Sequence, residues 1–252
     1  MSVHRAAGEG FNRTADTYMR GRPDYPPALD EWLAASLGPG RIAAEIGAGT
    51  GKFTPHLART GCEVVAVEPV EAMRAAFCAH HPGIRAIEAV AADLPFPDGS
   101  IDAVCCAQSF HWFATPEAMG EFRRVLKPGG SLLLVWNVRD ETVPWVRALG
   151  EVVDAWADDA PRYGSGAWRA MFPAHGFAPL EETRFAHAHR GAAEHVILDR
   201  FLSVSFVAAL PAPERETVAD RLQAVIDATP DLAGKSEVTM PYVTSAFRCR
   251  RL

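Results

Sequence analysis

RIAAEIGAGTGKFTPHLART, residues 41–60, passes from an apolar run to a glycine cluster and then into a stretch with helical spacing. The pattern predicts a strand, a tight turn and a helix. Gly47, Gly49 and Gly51 let the backbone turn sharply and come within contact distance of a ligand that a Cβ would exclude. The next apolar run, CEVVAVEP (62–69), ends in Glu68, 17 residues after Gly51. A carboxylate at that strand end can accept hydrogen bonds from both hydroxyls of a ribose.

A dinucleotide site would need G-x-G-x-x-G, which puts the third glycine at position 52, and that residue is Lys52. The spacing is G-x-G-x-G. Glu45, two residues before the first glycine, also sets an anion where a pyrophosphate would have to bind. A ligand with cationic ammonium and sulfonium groups suits these residues better, and an NAD(P)-dependent oxidoreductase is the disfavoured alternative.

Outward from this centre, strands and helices alternate. PPALDEWLAASL (26–37) and EAMRAAFCAHH (71–81) have helical periodicity, as does EAMGEFRRVLKPGG (117–130) up to Pro128 and Gly129. IRAIEAVAAD (84–93), IDAVCCAQ (101–108) and GSLLLVWN (130–137) are apolar runs of strand type. Parallel strands need crossover connections, so the alternation predicts a mostly parallel sheet with helices on both faces. Residues 139–176 break the rhythm and hold Trp145, Trp156 and Trp168, with Trp136 just before them. They are expected to form a helical insertion, serving either as a lid on an apolar substrate pocket or as packing. A strand over 180–190, helices over 195–210 and 213–228 and a last strand over 238–250 complete the pattern. One domain is expected over 1–252. Its parts are an N-terminal covering segment (1–40), a ligand-binding core (41–137), the insertion (138–178) and a C-terminal part (179–252).

The 252 residues carry a formal charge of -6, which argues against the basic surface that nucleic-acid binding requires. A small-molecule substrate is expected, with a monomer or a homodimer as the working form. Five cysteines without framework spacing suit a reducing compartment, and Cys105 and Cys106 read as small buried hydrophobes. No apolar run reaches membrane-spanning length, so a cytoplasmic protein with no membrane partner is expected. His187 and His189 share one strand face without a matching carboxylate or cysteine cluster, so exposure on an edge strand is expected for them and no metal.

EIGAGTG, AVEP, AADLPFPDGSID, QSFHWF and RRVLKPGG occur in this order over residues 43–130. In this the chain resembles the class I S-adenosylmethionine-dependent methyltransferases, in particular the small-molecule branch with the methyltransferase 11-like core. It is similar to trans-aconitate methyltransferases in DRFLSVSFVAAL (199–210). The resemblance implies a Rossmann-like α/β fold with a seven-stranded, mostly parallel sheet, its last strand antiparallel and the insertion after the fifth strand. It implies S-adenosylmethionine as donor and S-adenosylhomocysteine as product. Glu45, Gly47, Ala48 and Gly49 would pass under the donor, and Glu68, Pro69 and Met73 would hold its ribose side. Asp93 would bond the adenine amino group, with Leu94 beside the ring and Gln108 close by. Tyr18 and Arg22, in FNRTADTYMRGRPDYP (11–26), would meet the donor carboxylate. Trp112, Trp136 and Arg200 would contact the acceptor. The Asn-Pro-Pro-Tyr type sequence of nitrogen methylation is absent, its place held by QSFHWF, and the similarity to trans-aconitate methyltransferases implies a carboxylate or other oxygen acceptor. His111 would be the catalytic residue, either as a base or by orienting the acceptor.

Overall fold

The structure, a computed structural model, describes residues 21–252. Tyr18 and the first half of the expected covering segment, residues 1–20, lie outside the described residues. Seven strands form one sheet: β1 (Ile42–Ile46), β2 (Glu63–Val67), β3 (Arg85–Ile87), β4 (Ile101–Ala107), β5 (Leu126–Arg139), β6 (Glu181–Gly191) and β7 (Val238–Arg250). Their order is β3-β2-β1-β4-β5-β7-β6. Strand β7 runs antiparallel to both β5 and β6, and the other pairings are parallel.

Both faces of the sheet are covered, and the strand period of two assigns neighbouring residues to opposite faces. Cys105 packs with Leu133 and Val135 under Leu29 and Leu33 of α1 (Ala28–Ala34) and Leu57 of α2 (Thr54–Arg59). Cys106 packs on the other face with Leu132, Leu134 and Trp136. That face is covered by Met119, Phe122 and Val125 of α4 (Pro116–Val125), whose first turn is capped by the Thr115 hydroxyl. Helix α3 (Glu71–His80) joins β2 to β3 and buries Met73 and Phe77.

A third apolar cluster joins α5 (Pro144–Asp154) and α8 (Ala212–Ala228) to Val238, Met240 and Tyr242 of β7. The insertion after β5 is therefore α5 followed by single turns at Tyr163–Ser165 and Ala167–Met171. Trp136 and Trp168 are buried, their ring centroids 4.7 Å apart. They pack on each other, and Trp136 together with the turn at Tyr163–Ser165 also lines a cavity.

Three segments differ from expectation. The run 84–93 yields only three strand residues, because after Ile87 the chain turns and Asp93 N–H donates to Val90 O at 3.0 Å. Strand β5 begins at Leu126, before Gly130, and a register shift between Ile101 and Ala103 absorbs the Lys127–Gly130 turn. The stretch 195–210 is no single helix. A wide turn over Glu194–Asp199 leads into α6 (Arg200–Leu202) and α7 (Ser205–Ala208). Among the described residues no helix is long and apolar enough to cross a membrane.

Candidate active site

Strands β1 and β4 are sheet neighbours whose following connections lead to opposite sides of the sheet order, which opens a crevice at their C-terminal ends. The glycine loop lies there, and its three glycines serve different ends. At Gly47, with φ +68°, a Cβ would fall 2.7 Å from Ser109 Cβ. At Gly49, with φ +59°, a Cβ would meet nothing within 4 Å, although the residue lines the crevice. At Gly51 a Cβ would strike the ring of His81. Gly47 and Gly51 permit packing, and Gly49 leaves room for a ligand.

Two buried carboxylates face this space. Glu68 accepts a 2.8 Å hydrogen bond from Gly49 N–H on one oxygen and a 2.9 Å bond from Val70 N–H on the other. It thereby ties the loop after β1 to the loop after β2. Burial raises its pKa, and these two backbone bonds oppose the rise. Glu45 is 1% exposed and accepts a 2.6 Å bond from the Thr54 hydroxyl. Burial pushes its carboxyl up to about 8, Thr54 opposes this, and the nearby Glu68 adds to it.

After β4 the chain is held under strain. Gln108 has φ +58°, rare for a residue with a side chain, while its N–H donates to Val135 O at 2.8 Å. Ser109 Oγ donates to Ile46 O at 2.7 Å, fastening this loop to the glycine loop. The cover is the segment from Gly21 to Tyr25. Gly21 permits its approach, because a Cβ there would fall 2.5 Å from Arg200 N. Asn137 Nδ2 donates to Asp24 O at 2.9 Å, and Asp24 reaches the buried His56 at 3.1 Å. The His56 contact holds the Asp24 carboxyl down at about 2.

The first cavity is lined by Arg22, Glu45, Gly47, Ala48, Gly49, Glu68, Pro69, Met73, Gln108, Trp112 and Arg200, all singled out from sequence. Asp93 and Leu94 are not among its lining residues. The turn closed by the Val90–Asp93 bond presents Val90, Ala91 and Ala92 to the cavity and leaves Asp93 exposed. Leu94 is 2% exposed within the core, its N–H held by Glu121 at 2.9 Å. The cavity wall beside the two expected adenine contacts is formed by the three residues before them. Ser109, Asn137 and Gly21 escaped sequence reading, since each acts through a partner distant in the chain.

A second cavity adjoins the first through Arg22, Gln108, Trp112, Asn137 and Arg200. His111, Trp136, Arg139 and Tyr163 also line it. Trp136 Nε1–H donates to His111 Nδ1 at 3.1 Å. An indole can only donate, so Nδ1 is an acceptor and the neutral ring carries its proton on Nε2. Burial, then the Arg22 guanidinium, pushes this imidazole down to about 3. The geometry therefore suits the orienting alternative, with Nε2–H as a donor, and leaves no free lone pair for a base. The rate is expected to show no inflection near pH 6.5, the ordinary imidazole pKa. His111→Ala should raise KM more than it lowers kcat, and His111→Gln should recover part of the loss. A rate climbing with pH through 6.5 in wild type alone would restore the base.

His187 and His189 are half-buried rather than exposed, although β6 is the edge strand. Their neighbours include Asp24 for His187 and Lys52 and Arg200 for His189. Burial and the two cations push His189 down to about 4. No group of three or more His, Cys, Asp or Glu among the described residues is placed to hold a metal.

Residues 44–134 match the family model described as a methyltransferase domain. An uncharacterised methyltransferase-like protein of Schizosaccharomyces pombe is 36% identical over 242 residues, covering 94% of this chain and 93% of the relative. An uncharacterised methyltransferase of Mycobacterium tuberculosis is 35% identical over 238 residues, 94% of each chain. A solved structure from Anaeromyxobacter dehalogenans, described as a proposed type II methyltransferase, is 27% identical with a TM-score of 0.66, covering 91% of this chain and 97% of the other. With the glycine loop, the two acids and the sheet order all at one crevice, the chain belongs to the class I S-adenosylmethionine-dependent methyltransferases.

Proposed function

We propose that the enzyme moves the methyl group of S-adenosylmethionine to an oxygen atom of a small-molecule acceptor, releasing S-adenosylhomocysteine. The observation that carries the donor side is the pair of buried acids, Glu45 and Glu68, facing one cavity beneath the open space at Gly49. Glu45 offers charge complementarity to a cationic donor, and Glu68 keeps lone pairs for ribose hydroxyls beyond its two backbone bonds. Val90, Ala91 and Ala92 give the adenine an apolar wall. The donor supplies a methyl group already activated by its sulfonium, so this chain has to position, orient and exclude water.

The acceptor belongs in the second cavity. Its wall of Tyr163, Gly164, Ser165 and Phe206 suits a small molecule. A carboxylate acceptor fits the fixed state of His111 best, because its oxygen forms the new C–O bond as the C–S bond breaks and no proton has to move. A hydroxyl acceptor would need a base that His111 does not provide.

Titration calorimetry tests the donor assignment. S-adenosylhomocysteine should bind and NAD should not. Glu68→Ala should weaken S-adenosylhomocysteine binding roughly 10–100-fold, the effect of about 1.5–3 kcal/mol for hydrogen bonds to a charged group. Binding of NAD in its place would overturn the proposal, and labelled-methyl transfer into a panel of carboxylic acids would identify the acceptor.

A further inference from the structure

The second cavity is cationic although the whole chain is acidic. Arg22, Arg139, Arg162 and Arg200 line it against two carboxylates, Glu141 and Asp154. Both carboxylates are already paired, Glu141 with Arg139 at 3.2 Å and Asp154 with Arg162 at 2.9 Å. Among the described residues Arg200 has no such partner. It is 7% exposed, and its Nε and Nη1 are buried without a hydrogen bond among the described residues. Arg139 Nε is likewise buried and unmatched, while its guanidinium lies 4.8 Å from the centroid of the Phe201 ring.

Buried guanidinium N–H groups without acceptors are costly, and two such cations repel each other. Burial and then the Arg200 charge both lower the Arg139 pKa. The fold nevertheless holds both in place. Arg139 ends β5, and Arg200 opens α6 where Gly21 presses on its backbone. A forked oxyanion would satisfy the free N–H groups and cancel the repulsion together.

We propose that Arg139 and Arg200 form an oxyanion site that selects a negatively charged acceptor, a carboxylate or a phosphate. The proposal rests on the methyl-transfer reading for the word acceptor, but the site itself does not depend on that reading. Selection by charge has a consequence for turnover if the anion is the methylated group. A methylated carboxylate is a neutral ester that no longer complements the two cations and leaves, whereas a methylated phosphate keeps one negative charge and is held less tightly than before.

Because the cavity combines these cations with Trp112, Trp136, Tyr163 and Phe206, aromatic anions are suitable probes. Benzoate and phenyl phosphate, with methyl benzoate and benzamide as neutral counterparts, would be titrated into the full chain with and without S-adenosylhomocysteine. At least one anion should bind in the millimolar range and both neutral probes should fail, and the preferred anion separates carboxylate from phosphate. Arg139→Gln and Arg200→Gln should each weaken that anion about tenfold or more. Arg139→Gln should leave S-adenosylhomocysteine binding unchanged, since Arg139 lines only the second cavity.

Equal binding of benzoate and methyl benzoate, or no binding of either anion, overturns the proposal without any variant. It is also overturned if Arg200→Gln spares the anion and weakens S-adenosylhomocysteine but not methylthioadenosine, which assigns Arg200 to the donor carboxylate. Anion binding that survives with no S-adenosylhomocysteine binding would sink the methyl-transfer reading and leave the oxyanion site standing.

Discussion

Gly47→Ala is expected to lower the melting temperature by about 10 °C and to remove measurable donor binding, whereas Gly49→Ala lowers the melting temperature only slightly. Both glycines have φ near +60°, so an L side chain costs roughly 1–2 kcal/mol at either position. Only at Gly47 does the added Cβ also collide, 2.7 Å from Ser109 Cβ and 3.3 Å from Phe113 Cε1. Relief of that overlap adds roughly 1–3 kcal/mol. The collision also pushes on Ser109, whose hydroxyl ties the loop after β4 to Ile46 O, so the two walls of the donor cavity separate. At Gly49 the Cβ enters the open cavity instead, and the expected loss is in affinity more than in stability. Paired melting and calorimetry separate the two. Equal melting temperatures would show that the loop after β4 yields freely.

What the sequence discloses follows from the range of each signal. The strand, glycine turn and second acid at residues 42–68 are local patterns, and the structure brings Glu45, Gly49 and Glu68 together as their spacing implies. The seven-stranded sheet with β7 antiparallel likewise matches the alternation and the family resemblance. Strand order is not local and could not be read. The exposed turn that sets Asp93 beside the cavity wall was not legible either, because it depends on one backbone bond to Val90. The state of His111 depends on Trp136, 25 residues away, whose indole fixes the tautomer. Arg139 carries no motif at all. Its significance arises only when β5 and α6 set it beside Arg200 in a cavity whose carboxylates, among the described residues, are already paired.

Donor affinity is expected to fall about 20-fold between pH 7.5 and pH 6, because Glu45 has to lose a proton to meet a cationic ligand. In the empty protein burial holds this carboxyl up at about 8, so the protonated form dominates at both pH values. The donor's α-amino group, with a pKa of about 7.7, stays mostly charged up to pH 7.5. The two backbone bonds to Glu68 oppose the rise that burial gives its carboxyl, so the main change in this window is assigned to Glu45. A bound cation lowers the Glu45 pKa, so binding releases a proton, and affinity gains up to about one log unit per pH unit below 8. Calorimetry in two buffers of different ionisation enthalpy counts that proton. Glu45→Gln should abolish both the proton release and the slope, and hold affinity near the wild-type value at low pH. The same group has the opposite sign for the empty fold. Its native pKa is raised, so the unfolded chain ionises first from about 4.5 upward, and this contribution to stability declines as pH rises from about 4.5 to 8. Donor binding cancels that decline, so the gain in melting temperature on adding donor should grow with pH over this window. A gain that is flat with pH, in a protein that still binds the donor, would mean that the cation rests elsewhere and Glu45 stays protonated throughout.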